Sequence, residues 1–212
     1  MKIGIQISGR GSNMQALVAA CAEPDFPAQV ALVISNDPTA AGLEWAQGQG
    51  IPTKSISHKG MDREAHERLM DAALIEAGVE LVCNAGYMRV LTPWFVGKWR
   101  DKVINIHPSL LPSFPGLDTH ARALNEGVRW HGCTVHYVRA PVDEGPIIAQ
   151  AAVPVAAGDT PDTLATRVLQ AEHEIYPVAL RLVASGEASV IDERVVLPQG
   201  ALPDSVCYPG NS

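Results

Sequence analysis

Two polar residues interrupt an apolar run at Val103-Ile104-Asn105-Ile106-His107. Alternate residues of a strand share a face, so Asn105 and His107 point the same way. A side-chain amide donates to a developing oxyanion. An imidazole gives or takes a proton near neutral pH. The structural alternative is that Asn105 caps a turn and His107 is a hydrogen-bonded core histidine. The pairing of the two, and the loop Pro108-Ser109-Leu110-Leu111-Pro112 behind them, favour chemistry. A carboxylate partner would orient the ring and stabilise its charged form. Asp143, in the turn Ala140-Pro141-Val142-Asp143-Glu144-Gly145-Pro146, is the candidate. An Asp in such a turn more often serves the turn itself, and spacing does not place it beside His107.

A second constellation is Ser8-Gly9-Arg10-Gly11-Ser12-Asn13, between an apolar strand and a helix. Glycines allow a tight turn, and a helix N-terminus offers unpaired N–H groups to a phosphate. The dinucleotide fingerprint is incomplete, because its third glycine would fall on Met14 and no acid ends the second strand. An ordinary turn with Ser12 or Asn13 as helix cap remains the alternative. A third oddity is Glu172, on a stripe with Leu164, Val168 and Ile175. A carboxylate on an apolar face needs a partner, either ligand hydroxyls or an internal arginine. No metal is expected. His131 and His136 are five apart on a strand, hence on opposite faces, and no H-E-x-x-H motif occurs. Ser109 lacks the G-x-S-x-G elbow of a serine nucleophile.

The positioning elements follow from periodicity. Strands are expected over Lys2–Ser8, Gln29–Ser35, Ile51–Ile56, Val79–Asn84, Lys102–His107, His131–Arg139 and Pro146–Val153. Helices are expected over Met14–Ala22, Ala40–Gln49, from an Asp62 cap to Ala77, and over Thr119–Glu126. A long one starts at Thr160-Pro161-Asp162, runs to Ser185 and bends at Pro177. Strands alternating with helices predict an α/β fold: a Rossmann-like, mainly parallel open sheet with helices on both faces, in a single domain.

Composition agrees. The 212 residues are 47% hydrophobic and 18% charged, which excludes a disordered chain. The net charge of −7, with no basic run, argues against nucleic acid or an anionic membrane surface. No segment reads as a signal peptide or a membrane span. Cys21, Cys83, Cys133 and Cys207 form no C-x-x-C pair, so free thiols in a reducing cytoplasm are expected.

Asn105-Ile106-His107-Pro108-Ser109-Leu110-Leu111-Pro112, then Pro115-Gly116, then Asp143-Glu144-Gly145-Pro146, resembles the signature of the folate-dependent formyltransferases. Ser8-Gly9-x-Gly11-Ser12-Asn13 and Ala171-Glu172-His173-x-x-Tyr176-Pro177 extend the likeness over residues 2–190. Both are similar to the branch that formylates glycinamide ribonucleotide in purine biosynthesis. The resemblance implies 10-formyltetrahydrofolate as co-substrate, with no tightly bound cofactor. It implies catalytic roles for Asn105, His107 and Asp143, and a ribonucleotide site at Gly11, Ser12, Asn13 and Glu172. It implies folate contacts at Arg63, Met88, Arg89, Val90, Leu91, Asn105, Arg139, Ala140, Pro141 and Val142. Asp118 occupies a position held by histidine in some members. A formyltransferase domain over residues 1–198 and a loosely ordered tail over 199–212 are expected. So is a cytoplasmic monomer or homodimer.

Three alternatives compete. A methionyl-tRNA formyltransferase would need a further C-terminal domain and a basic face. A 10-formyltetrahydrofolate hydrolase would carry an N-terminal regulatory domain, whereas the first strand here starts at Lys2. A non-catalytic nucleotide-binding module has no use for Asn105, His107 and Asp143 together.

Overall fold

Ile3, Ile5 and Ile7 are fully buried on β1 (Lys2–Ile7), and so is Gln6 between them. A strand apolar on one face and covered on both belongs at the centre of a parallel sheet. A computed structural model describes residues 1–199 of the chain. The tail expected over residues 199–212 lies, apart from Gln199, outside the described residues, as does Cys207. The fold is α/β and Rossmann-like, with strands hydrogen-bonded in the order β3-β2-β1-β4-β5-β6-β7. Its contacts gather into two compact units.

The first unit comprises residues 1–105 and 138–140. After β1 come α1 (Ser12–Cys21), β2 (Gln29–Ser35), α2 (Ala41–Gly48), β3 (Thr53–Ser55), α3 (Arg63–Glu76) and β4 (Leu81–Asn84). Then come α4 (Pro93–Lys98) and β5 (Val103–His107), which carries the chain out of this unit. β1 pairs in parallel with β2 and β4, β2 with β3, and β4 with β5. Leu32, Ile34, Met70, Leu74, Val82, Phe95 and Trp99 share one apolar cluster beneath the helices.

The six-residue α4 went unpredicted, although Thr92-Pro93 carries the cap-then-proline signal. Thr92 accepts from the Phe95 N–H, as a capping hydroxyl should. Two buried acids of α3 secure this helix. Glu67 accepts from the Thr92 N–H at 2.8 Å and from its hydroxyl. Asp71 accepts from the Trp99 indole at 2.9 Å and pairs with Lys98 at 2.5 Å.

The second unit comprises residues 106–137 and those from 141 onward. It holds α5 (Thr119–Asn125), the antiparallel pair β6 (Trp130–Tyr137) and β7 (Ile147–Pro154), and α6 (Pro161–Ala184). A hairpin of β8 (Ser189–Ile191) and β9 (Arg194–Val196) follows. Its turn places both Asp192 and Glu193 at positive φ. This turn geometry usually recruits Asn or Gly, so the sequence carries no plain hairpin signal. α6 continues unbroken through Pro177. Ile175, Tyr176, Ala179 and Leu180 are buried on either side of the proline and offset its lost backbone bond.

The N-terminus of α6 matches its sequence signal. Thr160 Oγ1 accepts from the Thr163 N–H at 3.3 Å, and Thr163 Oγ1 accepts from the Thr160 N–H at 2.9 Å. Removing one half of this reciprocal cap leaves a helix-end donor unpaired. Thr160→Ala is expected to lower the unfolding free energy by about 1 kcal/mol. Urea denaturation would show this as a lower midpoint with an unchanged slope.

Candidate active site

β5 ends on His107, which is 6% exposed. Its Nε2 donates to the Phe114 carbonyl at 3.0 Å. Its Nδ1 lies 3.3 Å from Asp143 Oδ2. Both ring nitrogens therefore face acceptors, an arrangement that the imidazolium satisfies from both sides. The same Asp143 oxygen accepts from the Gly116 N–H at 2.9 Å. Asp143 adopts φ +58°, in the left-handed region that Asp tolerates better than most residues. The structure thus brings Asp143 to His107, which spacing alone left open. Asn105 sits two positions earlier on β5, on the same strand face as His107, and is half-buried.

The loop after His107 is clamped from the β6–β7 pair. Ser109 Oγ donates to the Ser113 carbonyl at 2.6 Å. Thr134 Oγ1 donates to the Ser109 carbonyl at 2.7 Å and accepts from the Leu111 N–H at 3.0 Å. Gln150 donates to the Leu111 carbonyl at 2.9 Å. These side chains, with Ser109 and Thr134 fully buried, meet the loop's backbone needs and fix where Phe114 and Gly116 face His107 and Asp143. Sequence reasoning passed over both Thr134 and Gln150. Thr134 between Cys133 and Val135, and Gln150 in the otherwise apolar β7, were the available signal.

Histidines surround the pair. His136 Nε2 is 3.8 Å from Asp143 Oδ1, while its Nδ1 donates to the Tyr137 carbonyl at 3.0 Å. Burial pushes its pKa below the usual histidine range. His131 packs edge-on against His120, ring centroids 5.3 Å apart, and against Phe114. Burial, with the nearby His120 and His107, lowers His131 to about 4. Glu172 is buried on the α6 stripe with Leu164, Val168 and Ile175, as expected. Burial raises the pKa of the Cys133 thiol, and the charge of Glu172 raises it further.

In the first unit, α1 begins two residues earlier than predicted. Its N-cap is Gly11, at φ +72°, with no side-chain cap. Ser12 and Asn13 are therefore first-turn residues rather than caps. A left-handed cap suits glycine, and it sets Ser12 as the first residue of the helix. Gly42 supports this loop. Its N–H donates to the Gly9 carbonyl at 3.1 Å, and an added Cβ would lie 2.6 Å from Ile7 Cδ1 and 3.0 Å from that carbonyl. Sequence reasoning missed Gly42, whose constraint is visible only once α2 packs on the loop.

The expected folate residues divide. Met88 and Val90 expose their side chains, Arg89 is half-buried and Leu91 buried. Arg63 opens α3 and is exposed. Arg139 is already engaged, pairing with Asp101 at 2.6 Å. Ala140, Pro141 and Val142 are exposed beside Asp143. Among the described residues no helix is long and apolar enough to cross a membrane.

Fold and site together define a Rossmann-like α/β protein with a buried histidine–aspartate pair at a strand's C-terminal end. The family model for formyl transferases matches residues 1–180. Phosphoribosylglycinamide formyltransferase from Escherichia coli (strain K12) is 41% identical, covering 96% of this chain and 100% of that one. The human trifunctional purine biosynthetic protein adenosine-3 is 51% identical over 87% of this chain, but this chain spans only 18% of that protein. A crystal structure of glycinamide ribonucleotide transformylase 1 from Symbiobacterium toebii superposes with a TM-score of 0.90. It shows 46% identity and covers 93% of this chain and 94% of that one. The chain belongs to the formyl transferase family.

The loop clamp makes a direct prediction. Thr134→Val keeps the side-chain shape but strands the Leu111 N–H and the Ser109 carbonyl. Chemical denaturation is expected to show a loss of about 1–3 kcal/mol.

Proposed function

We propose that this protein transfers the formyl group of 10-formyltetrahydrofolate to the amine of 5'-phosphoribosylglycinamide. The products are the formylated ribonucleotide and tetrahydrofolate, a step of de novo purine biosynthesis. The buried His107–Asp143 pair, in a chain of this family, carries the reading. Folate acts as co-substrate, and the chemistry needs no tightly bound group.

The amine nitrogen attacks the formyl carbon, and negative charge builds on the formyl oxygen. Asn105 and the His107 imidazolium donate to that oxygen. The formyl oxygen takes the donor that His107 Nε2 otherwise gives to the Phe114 carbonyl. Asp143 holds the imidazolium by charge and position. Collapse of the tetrahedral intermediate breaks the bond to the folate nitrogen. A bridging water carries the amine's proton to that leaving nitrogen.

The ribonucleotide's phosphate is assigned to the amides of Gly11, Ser12 and Asn13, where a helix terminus favours an anion by about 0.3–1 kcal/mol. Its ribose hydroxyls are assigned to Glu172. Folate is assigned to Met88, Arg89, Val90 and Leu91, to Arg139 through Val142, to Arg63 and to Asn105. The exposed Met88 and Val90 suit an apolar ring system. Arg139 contributes through its backbone and through the segment it leads, since its guanidinium serves Asp101. A domain over residues 1–198, a cytoplasmic location and a monomer or homodimer complete the proposal.

Glycinamide ribonucleotide and water offered together as acceptors separate transferase from hydrolase. The formylated ribonucleotide is expected to dominate, and free formate as the main product would overturn the reading. His107→Ala is expected to lower kcat by about 10²–10⁴-fold, with unchanged far-ultraviolet circular dichroism. Near-wild-type turnover in that variant would sink the mechanism.

A further inference from the structure

The two proposed substrate sites of the first unit are separate stretches of chain, residues 11–13 after β1 and residues 88–91 after β4. One side chain joins them. Ser8 Oγ donates to Asn36 Oδ1 at 2.6 Å and accepts from the Met88 N–H at 2.8 Å. The Ser8 N–H donates to the Gly86 carbonyl at 3.1 Å. A hydroxyl has one hydrogen and two lone pairs. Here the hydrogen is committed to Asn36, which is 5% exposed, so the bond to Met88 uses a lone pair. The result is a directional chain from Met88 N–H through the Ser8 hydroxyl to the Asn36 carbonyl, each bond polarising the next.

Ser8 is also the first residue of the glycine loop, and Met88 the first of the proposed folate segment. A phosphate seated on the glycine loop further restrains Ser8, and a restrained Ser8 further restrains the Met88 amide that it accepts from. A ligand that meets this ordering cost lowers it for the other. We infer that Ser8 is a positioning residue that couples the two substrates, so that each binds more tightly when the other is present. Coupling of this kind is reciprocal, with the same factor in both directions. The inference rests on the functional reading above.

The test uses the intact protein and two variants. In two-substrate kinetics, saturating ribonucleotide is expected to lower the wild-type KM for folate by about fivefold, the equivalent of one net hydrogen bond. Ser8→Ala brings that ratio to about one, and Ser8→Thr, which keeps the hydroxyl, retains it. Loss of the hydroxyl's role in fold stability alone would lower the active fraction and leave the ratio unchanged. Amide exchange at Met88 gives a readout without turnover. Inorganic phosphate is expected to slow it in the wild type and in Ser8→Thr but not in Ser8→Ala. An unchanged KM ratio in Ser8→Ala overturns the inference. So does a wild-type Met88 amide indifferent to phosphate, or a Ser8→Thr variant that behaves like Ser8→Ala. A wild type that transfers no formyl group defeats the functional reading instead, and the exchange experiment still tests Ser8.

Discussion

A histidine buried against a carboxylate cannot be left loose, and the left-handed backbone at Phe114 and Asp143 follows from that constraint. Removing one partner of a buried pair costs about 3–5 kcal/mol, because the remaining charge is left uncompensated. Holding Asp143 at φ +58° costs about 1–2 kcal/mol. A bond from a backbone amide to a charged acceptor contributes about 1.5–3 kcal/mol, so the Gly116 N–H offsets that strain. Phe114, also at positive φ, presents its carbonyl to the opposite side of the ring. The left-handed residues on either side of His107 are thus the local cost of giving both ring nitrogens an acceptor.

That arrangement needs a loop that does not wander, which explains the polar pair on β6 and β7. Thr134 and Gln150 sit among apolar strand residues and bond to loop backbone. Their groups are costly to bury alone and worth burying when every partner is present. The chemistry proposed at the end of β5 is therefore supported by a sheet position to which none is assigned.

Much of this was legible in the amino-acid order. The parallel strands, the Thr160 cap and the Asn105/His107 alternation come from short-range patterns, and these survive folding because each element forms from its own residues. Asp143 was legible as a candidate, but its place beside His107 depends on a turn that folds back across 36 positions of chain, which no spacing rule encodes. The short helix at Pro93–Lys98 depends on Glu67 and Asp71, far away in sequence. Ser12 and Asn13 were offered as caps in the alternative reading because both are favoured cap residues. The left-handed glycine before them took the position instead. Gly42 is another tertiary effect, a glycine whose need appears only where α2 meets the loop after β1.

Charge shapes how such a site can bind. The chain has 23 acids against 16 bases, and both proposed substrates are anionic. Several of the bases are committed to internal pairs: Arg139 to Asp101, Arg167 to Asp159, Arg68 to Glu64 and Lys98 to Asp71. Long-range attraction therefore does little to gather these ligands. In the proposed sites what remains is short-range and directional, in the helix-end amides after Gly11 and the backbone of the segments around Met88 and Val142. Binding by fixed amides depends on where the backbone lies far more than on how many charges the surface carries. The proposed use of anionic substrates by an acidic chain is thus consistent with a loop held by Gly42, Ser8 and a left-handed glycine, because there precise loop placement does the work that positive charge does elsewhere.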